Sequence, residues 1–234
     1  MQSPIHYIPI ATTILALLFA AVLFRRYSER GGTHLLWWSI GGLTYACGTF
    51  TESLTTLWGW HEPVFRAWYI TGALLGGAPL AQGSVYLHLS RRVANTLTVA
   101  LVSVIVIAAA CVILSPINLA LVEPHRLSGK VLTWHWVRLF SPFLNLYAVI
   151  FLVGGALVSA WRFAQRHDTW HRFVGNVLIA IGAILPGIGG AFTRFGHVEV
   201  LYVTEFIGLA LIFIGYRYNV AGGVVAAHPT PATA

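Results

Sequence analysis

Residues 94–115 read ANTLTVALVSVIVIAAACVILS. These 22 positions carry no charge. At about 1.5 Å of rise per residue they are long enough to cross a hydrocarbon core roughly 30 Å thick. Backbone inside a bilayer must satisfy its own polar groups, so the segment is expected as a helix. Applied outward along the chain, the same measure finds seven crossings, at 8–24, 35–58, 64–88, 94–115, 141–161, 173–193 and 199–216. The expected fold is all-α: an integral membrane bundle of seven transmembrane helices, forming one domain over residues 1–219. Residues 220–234, which end AAHPTPATA, are expected to be a disordered tail, being small and Pro-containing.

Composition agrees with that class. Of 234 residues, 57% are hydrophobic and only 9% charged, and mean hydropathy is +0.75; a soluble domain carries about a quarter charged residues. The net charge of +7 does not read as a nucleic-acid surface, because in a membrane protein excess Lys and Arg marks cytoplasmic loops. Cys47 and Cys111 fall inside apolar runs without a CxxC pattern, so they read as inert packing residues. Arg25, Arg26 and Arg30 follow the first apolar run instead of preceding it, which describes a retained first helix and not a cleaved signal.

Basic residues also set the direction. With the N-terminus outside and the C-terminus cytoplasmic, the inner ends hold Arg25, Arg26, Arg30, Arg91, Arg92, Arg162, Arg166, Arg172 and Arg217. The outer side holds only Arg66, Arg126, Lys130, Arg138 and Arg194. Trp58, Trp60, Trp134 and Trp136 then gather outside and Trp37, Trp38, Trp161 and Trp170 inside, as two interfacial belts would. The connection PINLALVEPHRLSGKVLTWHWVRLF, residues 116–140, is the one long enough to fold over the outer mouth. The expected location is the cell membrane. No soluble output domain is attached, so a message is expected to pass through a partner protein, with the lipid bilayer as the other contact.

Inside the expected spans the informative residues are acids. Glu52, in GTFTESLTTLWGW (48–60), lies on the order of 10 Å inward from the aromatic end of helix two. Glu205, in VLYVTEFIG, lies as far into helix seven from the same side. If the helices close into a ring with one, two and seven adjacent, the two carboxyls face each other. Tyr45, Thr49, Glu52 and Thr56 recur at helical spacing and form one polar stripe, and Tyr202 and Glu205 begin another. An intramembrane acid is costly and marks a binding site for a proton, a cation or a basic ligand. It can also be a structural ion pair, for which Arg66 and Arg194 are the available counter-charges.

Helix three carries Tyr69, Gly72, Gly76, Pro79, Gly83 and Tyr86 on one face, with Gly72 and Gly76 in a GxxxG pattern and Gln82 beside the break expected at Pro79. Helix six repeats the theme with Pro186 among Gly182, Gly187, Gly189 and Gly190. Such glycines serve close helix packing, or line a cavity or hinge.

Several chemistries are excluded or disfavoured. The ten histidines cluster in loops and at helix ends, so paired haem ligands deep in facing helices are absent. His61 and His197, with Glu62 and Glu199, and the pair His167 and His171 around Asp168, lack an established metal spacing; no metal site is assigned. Retinal bound as a Schiff base is excluded, because the only lysine, Lys130, lies in a loop. No nucleophile and base stand at catalytic spacing, so no catalytic residue is assigned.

In helix count and orientation the layout resembles the seven-helix sensor regions that precede some bacterial histidine kinases. The expected function is that of a non-enzymatic bundle binding a small or lipidic ligand in an outward-facing polar cavity lined by Tyr45, Thr49, Glu52, Tyr69, Tyr202 and Glu205, with Gln82 nearby. It would act as a sensor or as an accessory subunit of a membrane complex. The rival readings are a proton- or cation-coupled transporter using Glu52 and Glu205, and a lipid-modifying enzyme.

Overall fold

A two-glycine turn sets the first pairing. Gly31 and Gly32 both take positive φ, 68° and 102°, a region open to glycine at little cost. They join α1 (Ile8–Arg30) to α2 (Thr33–Trp58). The structure, a computed structural model, describes residues 4–165, 169–193 and 195–225, with side chains to Val220. Arg194, Arg166, His167 and Asp168 lie outside the described residues, as do residues 226–234 of the expected tail.

The expected third helix is a broken rod. α3 (Glu62–Trp68) runs into a π-helical turn at Tyr69–Leu74, the backbone leaves helical form at 75–77, and α4 (Ala78–His88) resumes. Pro79 stands in the first turn of α4, where its missing N–H costs nothing and its fixed φ favours starting a helix. Gly76 and Gly77 occupy the gap itself. α5 (Arg91–Leu114) follows, then the long connection, then α6 (Phe140–Ala148) and α7 (Gly154–Ala164), joined into one rod by a second π-helical turn at Val149–Val153. α8 (Trp170–Thr193) continues through Pro186 as one helix. α9 (Val198–Val225) runs beyond residue 219, so 220–225, expected in the tail, are helical.

α1 packs on α2 and α9, α2 on α4, α4 on the π turn of the α6–α7 rod, α7 on α8, and α8 on α9. This closes a ring from which α5 is left out; it touches α4, the first π turn and the end of the long connection. Glycines set the closest approaches, as expected where no aqueous hydrophobic effect drives helices together. A methyl group on Gly48 would lie 3.0 Å from Gly72 Cα, and one on Gly208 would lie 2.6 Å from Gly182 O. Along α8, Gly175, Gly182 and Gly189 meet Gly215, Gly208 and Leu201 of α9 in antiparallel order. Gly187 and Gly190, beside Pro186, face open space.

The bundle is all-α and of membrane-protein character. Among the described residues, five helices are long and apolar enough to cross a membrane: Pro4–Arg30, Arg91–Leu114, His135–Ala164, Trp170–Thr193 and Val198–Val220. α2 has the length, 26 residues, but buries Thr49, Thr51, Glu52, Ser53, Thr55 and Thr56 in its loop-side half. Most of its hydroxyls are satisfied by carbonyls one turn back, as in Ser53 Oγ to Thr49 O at 2.8 Å and Thr55 Oγ1 to Thr51 O at 3.0 Å, while Thr56 Oγ1 donates to His6 O at 3.2 Å. Cys47, expected in the packing, lies exposed on α2, because its position faces away from both α1 and α4; Cys111 is half-buried, and both thiols are free.

The connection of residues 115–139 is folded and packed. Leu127, Val131, Leu132 and Val137 are buried in one core with Phe65, Tyr69 and Leu74. Ile117 pairs with Leu132 in an antiparallel bridge. Arg126 donates to Thr193 O at 2.7 Å and so ties this loop to the end of α8.

Candidate functional site

Close approach at Gly48 and Gly72 builds the site. With backbones this near, the next turn of each rod brings Trp68 of α3 over Glu52 of α2, and Trp68 Nε1 donates to Glu52 Oε1 at 2.9 Å. From the other flank α9 presents Glu205. Glu52 is buried and Glu205 half-buried, and their carboxyl groups interact with each other. Each keeps one buried oxygen, Oε2, without a donor.

The surrounding polar groups fix this meeting. Tyr45, two turns below Glu52, donates its hydroxyl to Glu205 O at 3.2 Å and ties α2 to α9. Thr49 Oγ1 and Thr13 Oγ1 lie 2.9 Å apart and tie α2 to α1. Tyr202 is buried one turn above Glu205, with the ring of His6 edge-on at 6.2 Å. His6 in turn sits 3.7 Å from Glu199. Tyr45, Thr49, Glu52, Tyr202 and Glu205 are therefore brought together by α1, α2 and α9.

Three expected members stand elsewhere. Arg66 does not neutralise either acid. Its guanidinium binds Glu62 one turn back, at 2.7 Å, and the carbonyls of Val112 and Ser115 at the end of α5. A helix C-terminus offers unpaired carbonyls and negative dipole, and it captures the arginine. Tyr69 faces the long connection, so close to Gly129 that a methyl there would lie 2.6 Å from its ring; the aromatic residue that reaches the acid is its neighbour Trp68. Gln82 is fully buried in a separate knot, donating to Ala94 O at 3.2 Å and Thr98 Oγ1 at 2.8 Å and accepting from Tyr147 OH. That knot fastens α5 and α6 to α4 and lies well away from the acids along the rod. Arg194, the other expected counter-charge, is outside the described residues.

Above the acids is a cavity of about 140 Å³. Glu52, Trp68 and Tyr202 line its floor, while Arg126, Lys130 and Arg138 line it from the loop side. Arg126 is occupied by Glu123, at 3.2 Å, and by Thr193 O. Among the described residues, no ion pair engages Lys130, Arg138, Glu52 or Glu205. Nor do three His, Cys, Asp or Glu side chains gather into a metal-holding group among those residues.

Trp68 and the loop cations escaped the sequence reading. Trp68 sits one position before Tyr69, and only the glycine contact shows which of the two turns toward α2. Lys130 and Arg138 read as ordinary loop charges until the fold of that segment is known. No family model, no curated protein and no solved structure matches the chain.

Proposed function

We propose that the chain is a seven-crossing protein of the cell membrane, its loop end outward, in which Glu52 and Glu205 hold one exchangeable proton between them. Its gain and loss would switch the bundle between two packings. The reading is that of a non-enzymatic, proton-responsive sensor or accessory subunit, passing its state to a partner protein. The observation that carries it is the meeting of two acids, each with a buried carboxyl oxygen that has no donor, with neither Arg66 nor any other described cation paired to them.

Charge arithmetic supports it. Two unit charges 4 Å apart at an effective dielectric constant of 20 repel by about 4 kcal/mol. One shared proton removes that term and supplies a donor for a buried oxygen that otherwise has none. Loss of the proton would push α2 and α9 apart, and Trp68, bonded to Glu52, would carry the displacement into the π turn and the gap at 75–77. The cavity of about 140 Å³ admits a few waters or a small ion beside the acids, not an acyl chain.

The test is infrared spectroscopy of the purified protein in nanodiscs. A protonated carboxyl band should be present at neutral pH and vanish in Glu52→Gln and in Glu205→Gln. A wild-type spectrum with no such band would overturn the reading.

Proton-coupled transport is the second reading. It is favoured by a larger vestibule that enters the bundle from the opposite end, with Tyr45, Ala46 and Leu209 packed between it and the acids. Proteoliposome flux that depends on a pH gradient, and is lost in Glu52→Gln, would select it.

A further inference from the structure

The vestibule at the end opposite the loop has a volume of about 480 Å³, in the range of pockets that hold drug-sized ligands. Its mouth is lined by Arg26 of α1, Arg162 of α7 and Arg172 of α8. Its depth is lined by Leu80, Leu152 and Ile212. No acidic residue is among the lining side chains, and none of the three arginines makes an ion pair among the described residues. Arg25, beside Arg26, is instead matched by Glu29 at 2.8 Å on the exposed face of α1. Three guanidinium groups at one mouth, without an ion pair among the described residues, repel one another, a cost that an anion relieves.

The arginines are also held in place. Arg26 lies over the Tyr216 ring at 5.9 Å and Arg172 over the Phe163 ring at 5.4 Å, which positions guanidinium groups whose planar fork suits two-point binding of an oxyanion. Arg172 is in the first turn of α8, where the helix dipole adds positive potential. His88 closes one wall: Nδ1 donates to Ser84 O at 2.8 Å, and Nε2 is 2.8 Å from Ser159 Oγ, joining α4 to α7.

The geometry points to a site for an anionic lipid, its phosphate headgroup among Arg26, Arg162 and Arg172 and its acyl chain directed inward along Leu80, Leu152 and Ile212. A free phosphate compound would use the mouth but leave the apolar depth unfilled. A zwitterionic lipid would bring a trimethylammonium group against three arginines. This site is separate from the acid pair and does not depend on it.

Thermal unfolding of the full-length protein in neutral detergent tests the assignment, with lysophosphatidate, lysophosphatidylcholine of the same chain length, and inorganic phosphate as probes. Lysophosphatidate should raise Tm in a saturable way, and the other two should do so little or not at all. Each of Arg26→Gln and Arg172→Gln should weaken lysophosphatidate binding about tenfold, the loss of a charge-assisted hydrogen bond. Leu152→Trp, filling the depth, should weaken it without touching the mouth. Equal stabilisation by lysophosphatidylcholine, or a shift reproduced by phosphate alone, would overturn the proposal. So would wild-type binding in both arginine variants, or in whichever of them retains the wild-type Tm without ligand.

Discussion

Trp68 donates its indole N–H to Glu52 Oε1 at 2.9 Å. A rod that breaks at mid-length therefore holds the buried Glu52 directly. Replacing Trp68 by phenylalanine keeps an aromatic ring and deletes the donor. The variant is expected to lose about 1–3 kcal/mol, the usual cost of a buried acceptor left unsatisfied, as a lower unfolding temperature in detergent. No change would mean that Glu52 finds another donor and that the rod is not coupled to it.

The α8–α9 seam separates two kinds of glycine. A side chain at Gly182 or Gly208 meets backbone oxygen of the facing helix, which cannot swing aside. Gly182→Val should cost about 1–3 kcal/mol or more through overpacking. Gly187→Ala, where nothing lies within 4 Å, should be neutral or stabilising by up to about 1 kcal/mol, since alanine is the better helix former. Thermal unfolding of the two variants side by side checks the seam.

Leu132 in the long connection is fully buried. If the loop is part of the packed core, Leu132→Ala should cost about 2–5 kcal/mol. A loop lying loosely on the membrane surface would show a change within about 0.5 kcal/mol.

Gln82→Ala would strip Ala94 O, Thr98 and Tyr147 of their buried partner. A destabilisation of about 1–3 kcal/mol is expected, with the protonated carboxyl band of the acid pair unchanged. A lost band would return Gln82 to the acid site, from which its position along α4 separates it.

Much of this was legible in the residues. Long uncharged runs such as 94–115 demand helices, and the matching depths of Glu52 and Glu205 follow from counting residues to the ends of their helices. What counting cannot supply is azimuth. Arg66 lies at a depth close to the acids, but it turns toward the end of α5 because free carbonyls and Glu62 are there. Of the glycines around Pro186, Gly182 and Gly189 meet α9 while Gly187 and Gly190 face open space; Gly175, seven residues before Gly182, continues the seam, whose partners on α9 repeat the interval at Gly208 and Gly215. Pro79 marks a break whose open residues precede it, because proline favours starting a helix as much as it disfavours continuing one. The loop cations could not be assigned, since their place depends on Leu132 and its neighbours finding Phe65 across the chain.

Contact of α1 with α9 has a consequence for biosynthesis. A hairpin closed by Gly31 and Gly32 needs little loop entropy and can form as soon as its two helices leave the ribosome, bringing Glu52 into the bilayer long before Glu205 exists. Until the final helix inserts, that acid has no carboxyl opposite it. A chain cut short before α9 would leave Glu52 facing no second carboxyl, so the last helix to be made completes a pairing that the first hairpin begins.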